Sequence, residues 1–204
     1  PLSGHRALKT SRKVEVPFSE SEMQRLLSEW TQEEGFEALR NRLMVEVLYS
    51  TGIRRAELIG LTLENLDLDQ QVLKVLGKRS KERILPLLPH LGAPFRRYLE
   101  LRETVPGARE SPFVFLTASG NKIYETLVYR IINKYLSQVS VKAKRSPHIL
   151  RHTFATHLLN QGADMNAVKE LLGHASLAST QVYTHNSIAE LKRIHRLSHP
   201  RNKR

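Results

Sequence analysis

Two short β-like runs stand out in a chain whose other apolar residues recur mostly at helical spacing. The runs are Val72–Leu76 and residues 83–87, and the segment between them, 77–82, is strongly basic at its tip. Two such runs joined by a short polar segment are typical of an antiparallel hairpin. The sequence therefore predicts a mainly α fold with a small antiparallel β-sheet.

The helical patterns have clear start and stop signals. Ser19 and Glu22 have capping-box spacing, Gly52 ends a helical pattern, and Pro147 is suited to a first helical position. On the helix that follows Pro147, Leu150, Phe154, His157 and Leu158 occupy neighbouring positions of one face. Apolar periodicity and these signals predict helices from residue 19 to about 30 and at 37–49, 55–61, 93–103, 124–139, 148–160, 165–172, 176–183 and 188–197.

Charge and composition limit the function. A chain of 204 residues with a net charge of +12 fits one well-cored domain that binds a polyanion, and nucleic acid is the expected partner. The chain has no cysteine, which excludes disulfides and thiolate zinc sites and fits a reducing compartment. No apolar run is long enough to cross a bilayer and no signal peptide is recognisable, so we expect a cytoplasmic protein without membrane contact.

The chain divides into three parts. Residues 1–17 are basic with little apolar periodicity, and two interpretations stay open: a disordered tail, or an interdomain linker that lies along phosphates. Residues 18–186 form the predicted domain, and residues 187–204 form a C-terminal helix with a basic tail. The chain starts without methionine, so we expect it to be a fragment of a longer protein.

Two pairs of residues are candidates for phosphate chemistry. His148 and Arg151 lie one turn apart at the start of a predicted helix, whose N-terminus also favours an anion. Arg54 and Glu57 have the same spacing and are equally compatible with a simple salt bridge. Each pair taken alone is better explained as structure than as chemistry.

The combination of motifs is more specific than any single pair. Their order and spacing resemble those of the tyrosine recombinases (phage integrase-like proteins), and most closely the catalytic domain of the bacterial XerC/XerD type. The resemblance covers residue 17 to the C-terminus and implies the catalytic-core fold of DNA breaking-rejoining enzymes. The matching motifs are TGIRRAEL at 51–58, GKRSKER at 77–83, HILRH at 148–152, ATHLL at 155–159, LLGH at 171–174 and STQVYTH at 179–185.

The resemblance implies a role for each of its polar residues. Tyr183 would attack the scissile phosphate, and Lys78 would protonate the leaving 5′ oxygen. His148 would act as acid and base near the tyrosine hydroxyl. The phosphate oxygens would be bound by Arg54, Arg151 and His174, with Glu57 holding Arg54 or its neighbours in place.

Elementary chemistry supports this assignment. Two guanidinium groups stabilise the charge of a phosphodiester transition state without a metal, and a tyrosine of ordinary pKa near 10 needs a base or a positive field. Lys78 has alternatives on the same hairpin in Arg79, Lys81 and Arg83. The first two, with Arg145, are also candidate DNA contacts, and we expect neither a metal nor another cofactor.

The resemblance also implies partners. These are a double-stranded DNA recombination site and related protomers in a homo- or hetero-tetramer, with the C-terminal helix exchanged between protomers. The alternative for that helix is packing on its own domain, along a stripe of Ile188, Leu191, Ile194 and Leu197.

We expect a site-specific recombinase that forms a covalent 3′-phosphotyrosyl intermediate and resolves chromosome dimers at the bacterial nucleoid. A mobile-element, phage or integron integrase is the nearest alternative. A topoisomerase of similar chemistry and a non-catalytic DNA-binding module are more distant ones. Family members normally carry an N-terminal core-binding domain, which this chain lacks, so we expect the isolated chain to bind DNA weakly.

Overall fold

Helices and one small sheet make up most of the computed structural model, which describes residues 16–28, 35–76, 82–141, 145–173 and 185–202. The sheet is antiparallel, so the predicted class is confirmed. The helices are α1 (Glu20–Ser28), α2 (Phe36–Thr51), α3 (Arg55–Ile59), α4 (Gly92–Arg102), α5 (Glu125–Val139), α6 (Pro147–Asn160), α7 (Met165–Leu172) and α8 (His185–Ser198). The strands are β1 (Leu66–Asp67), β2 (Val72–Leu76) and β3 (Glu82–Pro86), in that spatial order.

Helix ends follow the local signals in the sequence. The Ser19 amide donates to the Glu22 carboxylate at 2.7 Å, and the Glu22 amide donates to the Ser19 hydroxyl at 3.2 Å, which confirms the capping box. Gly52 ends α2 in the left-handed region with φ 61°, and Pro147 is the first residue of α6. The helix predicted at 176–183 lies outside the described residues, as do residues 1–15.

The sheet places one face of β3 against the core. In the β2–β3 register, Leu73 pairs with Leu85 and Val75 pairs with Arg83, and all four side chains are buried. The hairpin tip at residues 77–81 lies outside the described residues. Strand β1 was not predicted, because two residues are too short to show an alternating pattern.

Helix α2 runs through the core and is buried all round over its second half, from Leu43 to Thr51. It packs against α6, whose Phe154 and Leu158 are fully buried, as the predicted apolar face requires. Tyr49 on α2 and His157 on α6 form a buried hydrogen bond of 2.9 Å, and the other ring nitrogen of His157 lies 2.8 Å from the Phe18 carbonyl. His157 is thus a core residue.

Helix α8 packs on its own domain, against α6, α7 and β3. Its buried face consists of Leu191, His195 and Ser198, whereas Leu197 is 60% exposed. The predicted apolar face, which included Leu197, therefore differs from the buried face. The difference arises because His195 occupies a core position, and apolar periodicity does not assign a histidine to the core. In the described part of the chain, no helix has the length and hydropathy needed to span a membrane.

Candidate active site

Three arginine side chains converge on the C-terminal end of α7. The last carbonyls of this helix lack partners within the helix, and each accepts a hydrogen bond from a different arginine. Arg83 donates from Nε to Leu171 at 3.2 Å, Arg151 donates to Leu172, and Arg54 donates to Gly173 at 3.0 Å. The end of α7 therefore sets the relative positions of three cations from three different elements.

Arg54 lies in the turn between α2 and α3, which Gly52 makes sharp. Its amide donates to one carboxylate oxygen of Glu57 at 2.8 Å, and its guanidinium donates to the other at 2.8 Å. The Arg54 side chain remains 34% exposed while that of Glu57 is 6% exposed. Buried Glu57 thus fixes one side of the arginine, and the other side is exposed to solvent.

Arg151 lies on the second turn of α6 and reaches back to α2. Besides the Leu172 carbonyl, its guanidinium donates to the carbonyl of Gly52. Burial lowers the pKa of Arg151 to about 10, and the positive charges of Arg54 and Arg83 act in the same direction. At neutral pH the side chain stays charged, and a nearby anion would relieve this repulsion.

Glu57 is the carboxylate that balances the cluster. Arg83 binds it with both terminal nitrogens, at 2.6 and 2.7 Å. Burial alone would raise the pKa of Glu57, but the bonds from Arg83 and Arg54 outweigh it and hold the pKa below its ordinary value. Glu57 is therefore ionised, and the cluster contains three guanidinium groups for one carboxylate.

His148 is exposed in the first turn of α6, one turn before Arg151. The side chain therefore projects from the same helix that carries the more buried arginine. The first turn of a helix also favours an anion, because its amides have no partners within the helix. A phosphate bound by Arg151 would lie near this end of α6.

The structure brings four of the predicted site residues to one region: Arg54, Glu57, His148 and Arg151. Lys78, His174 and Tyr183 lie outside the described residues, as do Arg79 and Lys81, and their roles stay predictions.

Arg145 has a structural role that the sequence did not indicate. Its guanidinium donates to the Asn133 side chain at 3.2 Å and to the Ser140 carbonyl at 3.3 Å. These bonds tie the segment before α6 to the middle of α5 and to the residue that follows α5. Contact between Arg145 and DNA stays a prediction.

Arg83 is the residue of this cluster whose place the sequence analysis missed. The sequence offers it as an alternative to Lys78 on the same hairpin, but its side chain is only 6% exposed and pairs with Glu57. Strand alternation predicts the buried position of Arg83, because Arg83 and Leu85 are two residues apart and therefore share the inward face. A charge on that face needs a buried partner of opposite sign.

The cluster can bind and polarise an anionic group. Guanidinium forks match the geometry of phosphate oxygens, and partial burial strengthens their field. Across the described ranges, no three or more histidine, aspartate or glutamate side chains gather as metal ligands would. The chemistry that these residues offer is charge stabilisation at a phosphate.

Comparison with known proteins identifies the relatives of this fold. Residues 18–190 match the model of the phage integrase family. Tyrosine recombinase XerC of Chlorobaculum parvum is 46% identical over 170 residues, which are 81% of this chain and 51% of the relative. Tyrosine recombinase XerD of Shewanella oneidensis is 38% identical over 98% of this chain and 67% of the relative. The chain spans about half the length of several curated relatives that it matches.

Solved structures agree with the sequence relatives. The crystal structure of XerA recombinase superposes with a TM-score of 0.70 at 28% identity, over 93% of this chain and 66% of that one. XerH site-specific recombinase, in a post-cleavage complex with its difH substrate, gives 0.71 at 25% identity, over 89% of this chain and 52% of that one.

Proposed function

The chain belongs to the phage integrase family, and we propose that it is the catalytic domain of a site-specific tyrosine recombinase. It would cleave and rejoin double-stranded DNA through a covalent 3′-phosphotyrosyl intermediate. The observation that carries this proposal is the arrangement of Arg54 and Arg151 on adjacent carbonyls of α7, with more positive than negative charge around them. The names of the relatives support the same activity.

The proposed reaction begins with attack by the Tyr183 oxygen on the scissile phosphorus. A phosphorus–oxygen bond forms to the tyrosine while the bond to the 5′ oxygen breaks, and Lys78 gives the leaving oxygen a proton. His148 accepts the tyrosine proton, and a histidine at that position can return it when the strand is rejoined. Rejoining reverses these bonds with a new 5′ hydroxyl.

Arg54 and Arg151 would stabilise the transition state together with His174. Charge develops on the non-bridging oxygens during attack, and guanidinium groups already fixed in place need no reorganisation to meet it. Arg151 is anchored on neutral carbonyls, and Arg54 shares the Glu57 carboxylate with Arg83, so net positive charge remains in the cluster. The described cluster supports this role for both arginines.

A suicide-substrate assay tests the proposal. The protein is incubated with a duplex nicked near the cleavage position, so that the cleaved strand loses a short fragment and cannot be rejoined. A covalent protein–DNA adduct on a denaturing gel is the expected result, and Tyr183→Phe should abolish it while DNA binding in a mobility-shift assay is retained.

Other results would point to a different nucleophile or to a different function. An adduct that persists in Tyr183→Phe would show that another residue is the nucleophile. Binding without any adduct, in this chain and in the full-length protein, would favour the alternative of a non-catalytic DNA-binding module. Relaxation of a supercoiled plasmid without strand exchange would favour a topoisomerase.

We further propose the Xer role, chromosome dimer resolution, in preference to integration of a mobile element. The XerC and XerD relatives at 38–46% identity support this choice. With full-length protein, resolution of a plasmid that carries two directly repeated chromosomal sites would be expected. Recombination between integrase attachment sites alone would contradict it. Location in the bacterial cytoplasm at the nucleoid remains a prediction.

Assembly into a tetramer on DNA, with exchange of α8 between protomers, is part of the proposal. The same contacts that α8 makes within its own domain, such as His195 with the Ser50 carbonyl at 2.6 Å, would then form in trans. The exposed Leu197 at the helix edge supports such a second contact surface.

A cross-link tests the exchange directly. Lys192 on α8 donates to the Gln70 carbonyl at 2.6 Å, and the chain has no cysteine of its own. Cysteines introduced at both positions and joined by a bis-maleimide would hold α8 on its own domain. We expect this protein to bind DNA but to stay monomeric in sedimentation, unlike the same variant capped with a monofunctional maleimide. Equal assembly of both forms would contradict exchange.

A further inference from the structure

Arg83 is the most buried of the three clustered arginines. Its side chain is 6% exposed, and both terminal nitrogens bind the 6% exposed carboxylate of Glu57. The residue comes from β3, whereas Glu57 comes from α3. The pair therefore joins the sheet to the turn that carries Arg54.

The same side chain also supports the end of α7. Its Nε donates to the Leu171 carbonyl, and its methylene and guanidinium atoms lie directly under Gly173. A Cβ at Gly173 would be 2.9 Å from the Arg83 Cδ, so the arginine packs against a position that only glycine fills without a shift. Arg83 thus contacts both Glu57 and the α7 end, the two features that hold Arg54.

We propose that Arg83 is a positioning residue for the phosphate-binding arginines, which acts on Arg54 through Glu57 and through the end of α7. This inference rests on the proposed function, since Arg54 is taken to bind the scissile phosphate. Arg83 itself is too deeply placed to serve as the general acid that the hairpin supplies.

Charge balance explains why the position needs an arginine. Glu57 alone beside Arg54 would neutralise the charge that a phosphate requires and would draw the guanidinium inward. A second, buried guanidinium matches the carboxylate with a bidentate pair, so that Arg54 keeps its charge for the ligand. Lysine supplies a point charge without the planar fork and cannot donate to Glu57 and Leu171 in the same geometry.

The first arm of the test measures cleavage. In single-turnover reactions on the nicked duplex, Arg83→Lys should cleave about 10- to 100-fold more slowly, as expected when reacting groups are displaced by about 1 Å. DNA affinity should change by less than about threefold, because Arg54 and Arg151 remain present.

Arg102→Lys is the matched control. Arg102 is also buried and donates to the carbonyls of Ser111 and Phe113, but it lies on α4 outside the cluster. It reports the general effect of replacing a buried arginine. At equal folded fraction, this variant should cleave at the unmodified rate.

A double-mutant cycle locates the effect. If Arg83 acts through Arg54, then Arg83→Lys should slow cleavage much less in an Arg54→Lys background than in the unmodified protein. Independent, multiplicative effects of the two substitutions would overturn the proposal. Cleavage by Arg83→Lys at the unmodified rate would also overturn it.

The second arm needs no DNA and no activity. The Nε–H resonance of Arg54 is followed by ¹⁵N NMR and assigned by its loss in Arg54→Lys. We expect it to shift and broaden in Arg83→Lys and to stay in place in Arg102→Lys. An unmoved Arg54 resonance in Arg83→Lys would overturn the positioning role. An unmodified protein that forms no adduct would instead count against the proposed function, while this arm still decides the inference.

Discussion

Gly52→Ala tests how tightly the turn before Arg54 is packed. Gly52 has φ +61°, and an alanine Cβ there would lie 2.4 Å from Cδ1 of the buried Phe154 and 3.2 Å from Cδ2 of Leu172. Real Cβ atoms do not approach an aromatic carbon that closely, so α6 or the turn must move. The substitution combines backbone strain with overpacking of the core.

The magnitude follows from these two contributions. Left-handed backbone costs about 1–2 kcal/mol for a residue with a Cβ, and overpacking of a dense core costs about 1–3 kcal/mol. We therefore expect the free energy of unfolding to fall by about 2–5 kcal/mol. Gly162→Ala separates the backbone cost from the packing cost. Gly162 has φ +83° and nothing within 4 Å of the added Cβ, so this variant should show the backbone cost alone.

Urea unfolding followed by far-ultraviolet circular dichroism measures both variants. The Gly52 carbonyl also accepts from Arg151, and Leu172 supplies the second acceptor of that arginine. Gly52→Ala should therefore slow adduct formation even at temperatures where the protein is fully folded, and Gly162→Ala should not. A Gly52→Ala protein no less stable than Gly162→Ala would refute the packing argument.

Two further predictions concern the core. Burial lowers the pKa of His195 to about 4, below the unfolded value of about 6.5, so the unfolded chain binds more protons between these values. The contribution of His195 to the free energy of unfolding should accordingly fall by up to about 1.4 kcal/mol per pH unit as pH drops below about 6.5; urea titrations between pH 7 and 5.5 check this, and the slope should be smaller in His195→Gln. Separately, the Tyr98 hydroxyl donates to the Val114 carbonyl and accepts from the Leu116 amide, all buried, so Tyr98→Phe should cost about 1–3 kcal/mol in the same assay. Tyr129→Phe, at a 46% exposed position, should stay within about 0.5 kcal/mol, and equal losses in the two variants would contradict the hydrogen-bond argument.

Local signals account for the parts of the fold that were predictable. The capping box at Ser19, the glycine at residue 52 and the proline at residue 147 act within one turn of chain, and the helices begin or end where they indicate. Strand β1 is too short to show an alternating pattern, and the buried face of α8 depends on partners distant in sequence. No pattern within α8 shows that His195 meets the Ser50 carbonyl, 145 residues away.

In the candidate site, too, residues in local motifs were predictable and contacts between distant segments were not. Motif order identified Arg54, Glu57 and Arg151, because each stands in a short and specific segment. The two arginines also donate to backbone carbonyls, at the end of α7 and at Gly52, and every residue has a carbonyl, so sequence gives no sign of which ones accept. The inward position of Arg83 was detectable from strand alternation, but its partner was not.

The use of helix-end carbonyls has a chemical consequence for phosphate binding. A carboxylate that orients an arginine also cancels its charge, whereas a carbonyl orients it and leaves the charge in place. In the described cluster, Glu57 is already matched by the bidentate Arg83. Arg54 shares this carboxylate at 2.8 Å, so three guanidinium groups and one carboxylate leave the cluster close to two net positive charges, held in fixed directions before any ligand arrives. A site of this kind stabilises charge that develops on a phosphate without first having to reorganise.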